Sequence, residues 1–236
     1  MKRLLTALLI LSIHLTLNAQ IYNTAMRIEY DVYYIKSNDT IKSTLYLECT
    51  GNKWSFQNKY IDDSWTIRWI QQDSKTGEDY ITETGIKETS DKLFLHPPRS
   101  KEYAILEFCP FPLIHYPLEI GNNWEWELEN IPEIYYRALN NPTKQKIYVR
   151  NKYKITKKIS WFYKKANKYI ECFKVESIGE TSIGTTKLTF YFSPQYGFIY
   201  LNFETLNKDR FILKFKEQTV SFKFQNKSNR LINPFN

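Results

Sequence analysis

The chain is poor in the residues that usually announce a function. Its 236 residues include three cysteines, three histidines and seven glycines. Cys49, Cys109 and Cys172 are too few for a disulfide framework, and a chain of this length buries roughly 70% of its unfolded surface without one. One pair with a spare thiol stays open. Closing the loop between Cys109 and Cys172 is worth about 4 kcal/mol in the chain-entropy description, whereas Cys49, on one strand face with Leu45 and Leu47, suits a buried free thiol. Zinc sites need paired ligands at close spacing, and neither His96 and His115 nor the nearby Cys109 supplies that pattern, so no metal and no cofactor is expected.

Nucleophilic chemistry is equally short of parts. There is no Gly-x-Ser-x-Gly elbow, Ser193 precedes a proline in a turn, and no histidine has an evident partner. Gly179 and Gly184 flank Glu180-Thr181-Ser182-Ile183, but this segment joins two strands and opens no helix, so it reads as a hairpin loop and not a phosphate cradle. Glu125, Glu127 and Glu129 beside Trp124 and Trp126 resemble the furniture of a carbohydrate site. Alternation accounts for them as the wet face of a strand, because hydrolytic carboxylates normally face one cleft from separate strands. The sequence therefore nominates no catalytic residue, no metal ligand and no ligand-binding residue. The pair Trp65 and Trp69 reads as core and not as a ligand platform. Asn38-Asp39-Thr40 and Asn226-Lys227-Ser228 match the glycosylation acceptor pattern, a three-residue match that by itself assigns no function.

Long apolar runs are confined to the first residues. Lys2 and Arg3 precede an apolar or weakly polar run from Leu4 to Leu17, then Asn18-Ala19 before Gln20. The run is short of the ~20 residues that span a bilayer and ends on a small residue suited to a signal peptidase, so residues 1–19 are expected to be a cleaved export signal. The first cysteine is Cys49, which leaves no site for a lipid anchor after the leader. The expected mature protein is periplasmic or secreted, with no membrane-spanning segment and no stated oligomeric state. Its formal charge is +8 for the whole chain. A basic surface favours anionic neighbours, such as lipopolysaccharide, phospholipid headgroups or an acidic partner. Lysines spread along strands in an exported chain argue against nucleic acid. No Gly/Ser-rich linker or internal repeat divides residues 20–225, which read as a single β-rich domain, followed by a fraying tail, 226–236.

What the sequence has in abundance is period-two alternation. The clearest stretch is Leu188 to Phe203, where Leu188, Phe190 and Phe192 share one face, Ile199, Leu201 and Phe203 another, and Ser193-Pro194-Gln195-Tyr196-Gly197 reverses the chain. Similar patterns predict strands over 27–35, 41–49, 53–57, around Trp65 to Trp69, 79–84, 102–108, 124–129, 147–156, 160–164, 168–178, 210–216 and 219–225. Thr50-Gly51-Asn52 is expected to turn the chain, 85–101 to form a long proline-bearing loop, and Phe111 to Ile120 an apolar connection. Ile131 to Asn141 is the helix candidate, with Pro132 in its first turn and Ile134, Tyr135, Ala138 and Leu139 in a stripe. So many strands joined by short turns need an answer to exposed edges. The predicted fold is all-β, an antiparallel meander curled into a half-barrel or barrel with an aromatic interior and one short helix.

Three fragments carry a resemblance. They are Tyr116-Pro117-Leu118-Glu119-Ile120-Gly121-Asn122-Asn123-Trp124, then Tyr169-Ile170-Glu171-Cys172-Phe173-Lys174-Val175-Glu176, then Tyr191-Phe192-Ser193-Pro194-Gln195-Tyr196-Gly197-Phe198. In this order they resemble exported bacterial β-proteins that look like distant relatives of the lipoprotein-localisation factors of the LolA/LolB type. The resemblance implies a strongly curved antiparallel sheet whose concave face holds acyl chains or another apolar guest, and it names no catalytic residue. The expected function is thus a non-enzymatic envelope protein binding a hydrophobic or acyl ligand, or a lipoprotein partner. The alternative is a structural or interaction component with a fully packed core, and an enzyme acting on glycans stands behind both.

Overall fold

Alternation is the cause of the architecture. In the strand Met26–Lys36 the side chains of Met26, Ile28, Tyr30 and Val32 are buried while Arg27, Glu29 and Asp31 are less so, so one face must be covered by something apolar. A computed structural model of the chain describes residues 21–22, 26–37, 39–56, 59–72, 77–129, 131–140, 142–143 and 145–220. The expected leader, the tail and both acceptor asparagines, Asn38 and Asn226, lie outside these residues.

Twelve antiparallel strands form one sheet that nearly closes into a barrel, as the alternation predicted. They are β1 (Met26–Lys36), β2 (Asp39–Phe56), β3 (Lys59–Gln72), β4 (Asp79–Glu88), β5 (Lys92–Leu95), β6 (Leu113–His115), β7 (Asn123–Leu128), β8 (Val149–Tyr163), β9 (Lys168–Thr181), β10 (Gly184–Ser193), β11 (Gly197–Glu204) and β12 (Arg210–Val220). The order across the sheet is β6-β5-β4-β3-β2-β1-β12-β11-β10-β9-β8-β7. Two meanders, β1 to β6 and β7 to β12, are therefore joined by the pairing of the first strand with the last, Met26 opposite Val220 and Ile35 opposite Arg210. The ends of the sheet are β6 and β7, which follow each other in the chain.

Several expected boundaries move. Thr50-Gly51-Asn52 does not reverse the chain: pairing with β3 continues from Cys49–Ile67 to Lys53–Trp65 across a bulge, with Gly51 at φ 77°. β8 likewise runs through Lys157 and Lys158 as one strand, because a bulge between Ile155 and Lys157 absorbs the apparent break. β12 is continuous through Glu217 and Gln218, which pair with Glu29 and Ile28. The loop expected over 85–101 contains the end of β4 and all of β5. The strand expected over 102–108 is a 3-10 helix, Lys101–Phe108, and the helix expected over 131–141 is a 3-10 turn at Glu133–Ala138.

The first 3-10 helix and the chain after it fill the concave side of the sheet. Tyr103, Leu106, Phe108 and Phe111 are buried. The hydroxyl of Thr186 on β10 donates to the Phe108 carbonyl at 3.0 Å, and the hydroxyl of Tyr153 on β8 donates to the Phe111 carbonyl at 3.0 Å. Tyr103 meets Phe211 of β12 at 5.4 Å between ring centres, and Phe108 meets Tyr136 of the second 3-10 turn at 5.8 Å. Burial on all sides explains why this segment reads as a strand in sequence: an apolar run without a wet face carries no period that separates the two. One end of the core is closed by Tyr22, whose hydroxyl accepts from the Phe198 N–H at 3.0 Å. The N–H groups of Ile21 and Tyr22 donate to the Glu88 carboxylate at 2.8 and 3.2 Å.

The thiols of Cys49, Cys109 and Cys172 are all buried and free. No helix among the described residues is long and apolar enough to cross a membrane.

Candidate functional site

The incomplete closure between β6 and β7 leaves a seam bridged by side chains in place of ladder hydrogen bonds. Trp124 of β7 stacks between His115 of β6 and Tyr153 of β8, at 5.3 and 5.4 Å with nearly parallel rings. Trp126, two residues on and on the same face, meets Phe94 of β5 at 5.6 Å and Phe111 at 5.4 Å. Beside these rings lies an open cleft of about 430 Å³ whose wall includes Trp54, Phe94, Leu113 and Trp126, with His96, His115 and Glu125 among its polar members. Trp54 reaches this position because β4 carries Gly85. A Cβ there would lie 3.0 Å from the indole, so the ring would have to give by a few tenths of an ångström.

Behind the cleft stands a buried polar group. His96 packs on Phe111 at 4.6 Å, and its Nδ1 lies 2.8 Å from the Pro97 carbonyl. A carbonyl can only accept, so Nδ1 is the protonated nitrogen and Nε2 of the neutral ring is the acceptor. Nε2 faces the Glu107 carboxyl at 3.5 Å. Burial, with Arg99 opposing it, pushes Glu107 up to about 7, and burial aided by Arg99 lowers His96 to about 3, against the Pro97 hydrogen bond. Both directions describe an uncharged pair, a protonated carboxyl facing a neutral imidazole. Nδ1 of His96 is hydrogen-bonded, whereas Nε2 and the Glu107 Oε1 stand 3.5 Å apart with no hydrogen bond between them.

Of the residues singled out in sequence, His96, His115, Glu125 and Trp126 border the cleft and the others lie elsewhere. Glu125 and Glu127 on β7 and Glu129 just beyond it are exposed, with Glu127 paired to Arg150 at 2.7 Å. His96 and His115 both border the cleft, while the Cys109 thiol lies 4.0 Å from the Glu204 carbonyl on β11. No group of three His, Cys, Asp or Glu side chains among the described residues could hold a metal. Ser193 is buried in its turn and accepts from the Gln195 N–H at 3.3 Å. The Gly179–Gly184 segment forms the reversal between β9 and β10. Trp69 is core, its indole N–H donating to Thr84 and to the His96 carbonyl, and Trp65 is half-buried under the Lys53 ammonium at 4.1 Å.

Trp54, Phe94 and Glu107 were not readable as site residues. Phe94 stands in a short run, Leu93 to Leu95, lost beside two prolines, and Glu107 follows the apolar run Tyr103 to Leu106 with no local signal of its burial.

No protein-family model matches the chain, and no curated protein matches it. Among solved structures it is similar to a Bacteroides fragilis protein described as exported and of YmcC-like fold, with 9% identity over 84% of this chain and 97% of that one at a TM-score of 0.42. It is also similar to a protein from Parabacteroides distasonis described as a lipoprotein, with 10% identity over 84% and 98% of the two chains at a TM-score of 0.42. A third is the hypothetical lipoprotein YmcC from Escherichia coli, with 10% identity over 88% and 95% at a TM-score of 0.40.

Proposed function

We propose that the protein is a non-enzymatic component of the cell envelope that binds one hydrophobic guest, an acyl chain or the lipid of a lipidated partner, in the cleft at the β6–β7 seam. The observation that carries this reading is the cleft itself. Its volume of about 430 Å³ falls within the range of small-ligand sites, and its wall carries rings from three separate strands with Ile86 and Leu113, beside the polar Ser64, Lys87, Lys92 and Glu125. The concave side, where the resemblance to lipoprotein-localisation factors would place a guest, is occupied by the chain's own residues from Tyr103 to Phe111. The guest therefore moves to the rim. Burial lowers His96 to about 3 and leaves it a weak base, which supports binding over chemistry.

The packed interior also favours the alternative reading, an interaction component that works through its surface. The two separate in a titration of the purified protein with lauric acid and with the apolar dye N-phenyl-1-naphthylamine. Saturable uptake of both, weakened about tenfold or more by Trp126→Ala as the buried ring area is lost, supports the cleft. No uptake of either probe, with capture of one stoichiometric protein partner, overturns it.

A further inference from the structure

Between Lys152 and Ile170 the chain carries seven lysines and no Asp or Glu, against totals of 33 cations and 25 acids in the whole sequence. This span is the hairpin of β8 and β9, turned by Lys164 to Asn167, with Asn167 at φ 47°. All seven lysines are exposed. Lys158 and Lys165 are neutralised by Glu171 and Glu217, and Lys152 by Glu180. Lys154, Lys157 and Lys164 have no ion pair among the described residues, and Lys168 lies over the Tyr196 ring at 5.4 Å. At the same tip Phe162 and Tyr169 face each other across the ladder, ring centres 5.2 Å apart, and they stay 47% and 72% exposed.

Two explanations of the lysines compete. β7 pairs with β8 only along Val149 to Lys154, so the later half of β8 is a free edge, and lysines there discourage edge-to-edge association. That accounts for Lys157 and Lys158. It does not account for a phenyl and a phenol ring held in water at the tip, where edge protection calls for the opposite. Unpaired ammonium groups around exposed rings suit an anionic bilayer surface, with the rings at the headgroup level and the lysine stems lying along the interface.

We infer that the β8–β9 hairpin docks the protein on the surface of a bilayer rich in anionic phospholipid, with Phe162 and Tyr169 entering the interface and Lys154, Lys157, Lys164 and Lys168 meeting the headgroups. This surface is separate from the seam cleft and holds whether or not the cleft takes a guest. Rings are what separate a bilayer from a soluble polyanion, since a polyanion needs only the charges.

The test is co-sedimentation of the purified full-length protein with vesicles of phosphatidylcholine alone or mixed with phosphatidylglycerol, beside a titration with soluble polyphosphate. Binding is expected only to the mixed vesicles and should fall as salt screens the lysines. Lys157→Glu with Lys164→Glu should lower it at least ~25-fold, about fivefold for each lysine lost. Phe162→Ser with Tyr169→Ser should abolish it without moving the melting temperature, because both rings are exposed. Phe162→Trp should report entry as a blue shift quenched by brominated lipid. Equal binding to both vesicle types, no binding to either, or binding that survives the serine pair and is matched by polyphosphate overturns the inference.

Discussion

The uncharged pair behind the cleft makes a prediction that can be worked through. Glu107 sits at about 7 in the fold against an ordinary 4.5. Below pH 4.5 it is protonated in both folded and unfolded chains and contributes nothing to pH dependence. Between pH 4.5 and 7 the unfolded chain releases the proton and the folded one keeps it, so stability falls as pH rises, reaching a cost of about 3 kcal/mol at 1.36 kcal/mol per pH unit. His96 works the other way. Lowered from 6.5 to about 3, it stays neutral in the fold while the unfolded chain takes a proton below 6.5, so its contribution is present above that pH and is lost as pH falls toward 3. The two slopes cancel between pH 4.5 and 6.5. In Glu107→Gln only the His96 slope survives. Urea unfolding followed by tryptophan fluorescence should show the variant gaining on the parent protein by about 3 kcal/mol between pH 4.5 and 8, and its own stability should climb from pH 4.5 to 6.5 at about 1.4 kcal/mol per unit. A difference that stays constant within about 0.5 kcal/mol across that range means that Glu107 is ionised in the fold at all these pH values, and it refutes the neutral pair.

Two further outcomes follow from the packing. Gly197 has φ 73°, and a Cβ there would lie 2.4 Å from the Tyr22 hydroxyl; Gly197→Ala should cost about 2 kcal/mol or more, and clearly less in a Tyr22→Ala background, with additive costs in chemical denaturation contradicting the contact. Burial raises the thiols of Cys49 and Cys172 to about 12 and that of Cys109 higher still, so an aromatic disulfide reagent should titrate no thiol in the native protein and three in urea, and a single reactive thiol without urea would contradict that burial.

The sheet was legible wherever one face is wet. Arg27, Glu29 and Asp31 beside Ile28, Tyr30 and Val32 fix both the strand and its orientation, and the Leu188–Phe203 hairpin falls where its proline and glycine put it. Local signals failed at bulges. Thr50-Gly51-Asn52 and Lys157-Lys158 have turn or break composition, yet the neighbouring strand continues past them, and only the partner's register shows it. They failed also inside the barrel. From Glu102 to Phe108 the surroundings and not the local pattern choose a 3-10 helix, since the segment packs on β10, β12 and the second 3-10 turn. The cleft was invisible for the same reason: its walls come from six strands, β2 to β7, and the gap between β6 and β7 exists only once the two meanders have closed.

The pairing of β1 with β12 sets an order of events for a chain made from its N-terminus. Everything from β1 to β6 can zip as it emerges, but the open side of β1 has no mate until the final ribbon has been delivered, at least 175 positions later at every pair of that ladder, as Ile35 opposite Arg210 shows. Until then the nascent protein carries an eleven-residue raw margin with its oily side uncovered. A chain of this design is at its most adhesive just before its last strand is made, and any truncation that removes that ribbon leaves it permanently in that condition.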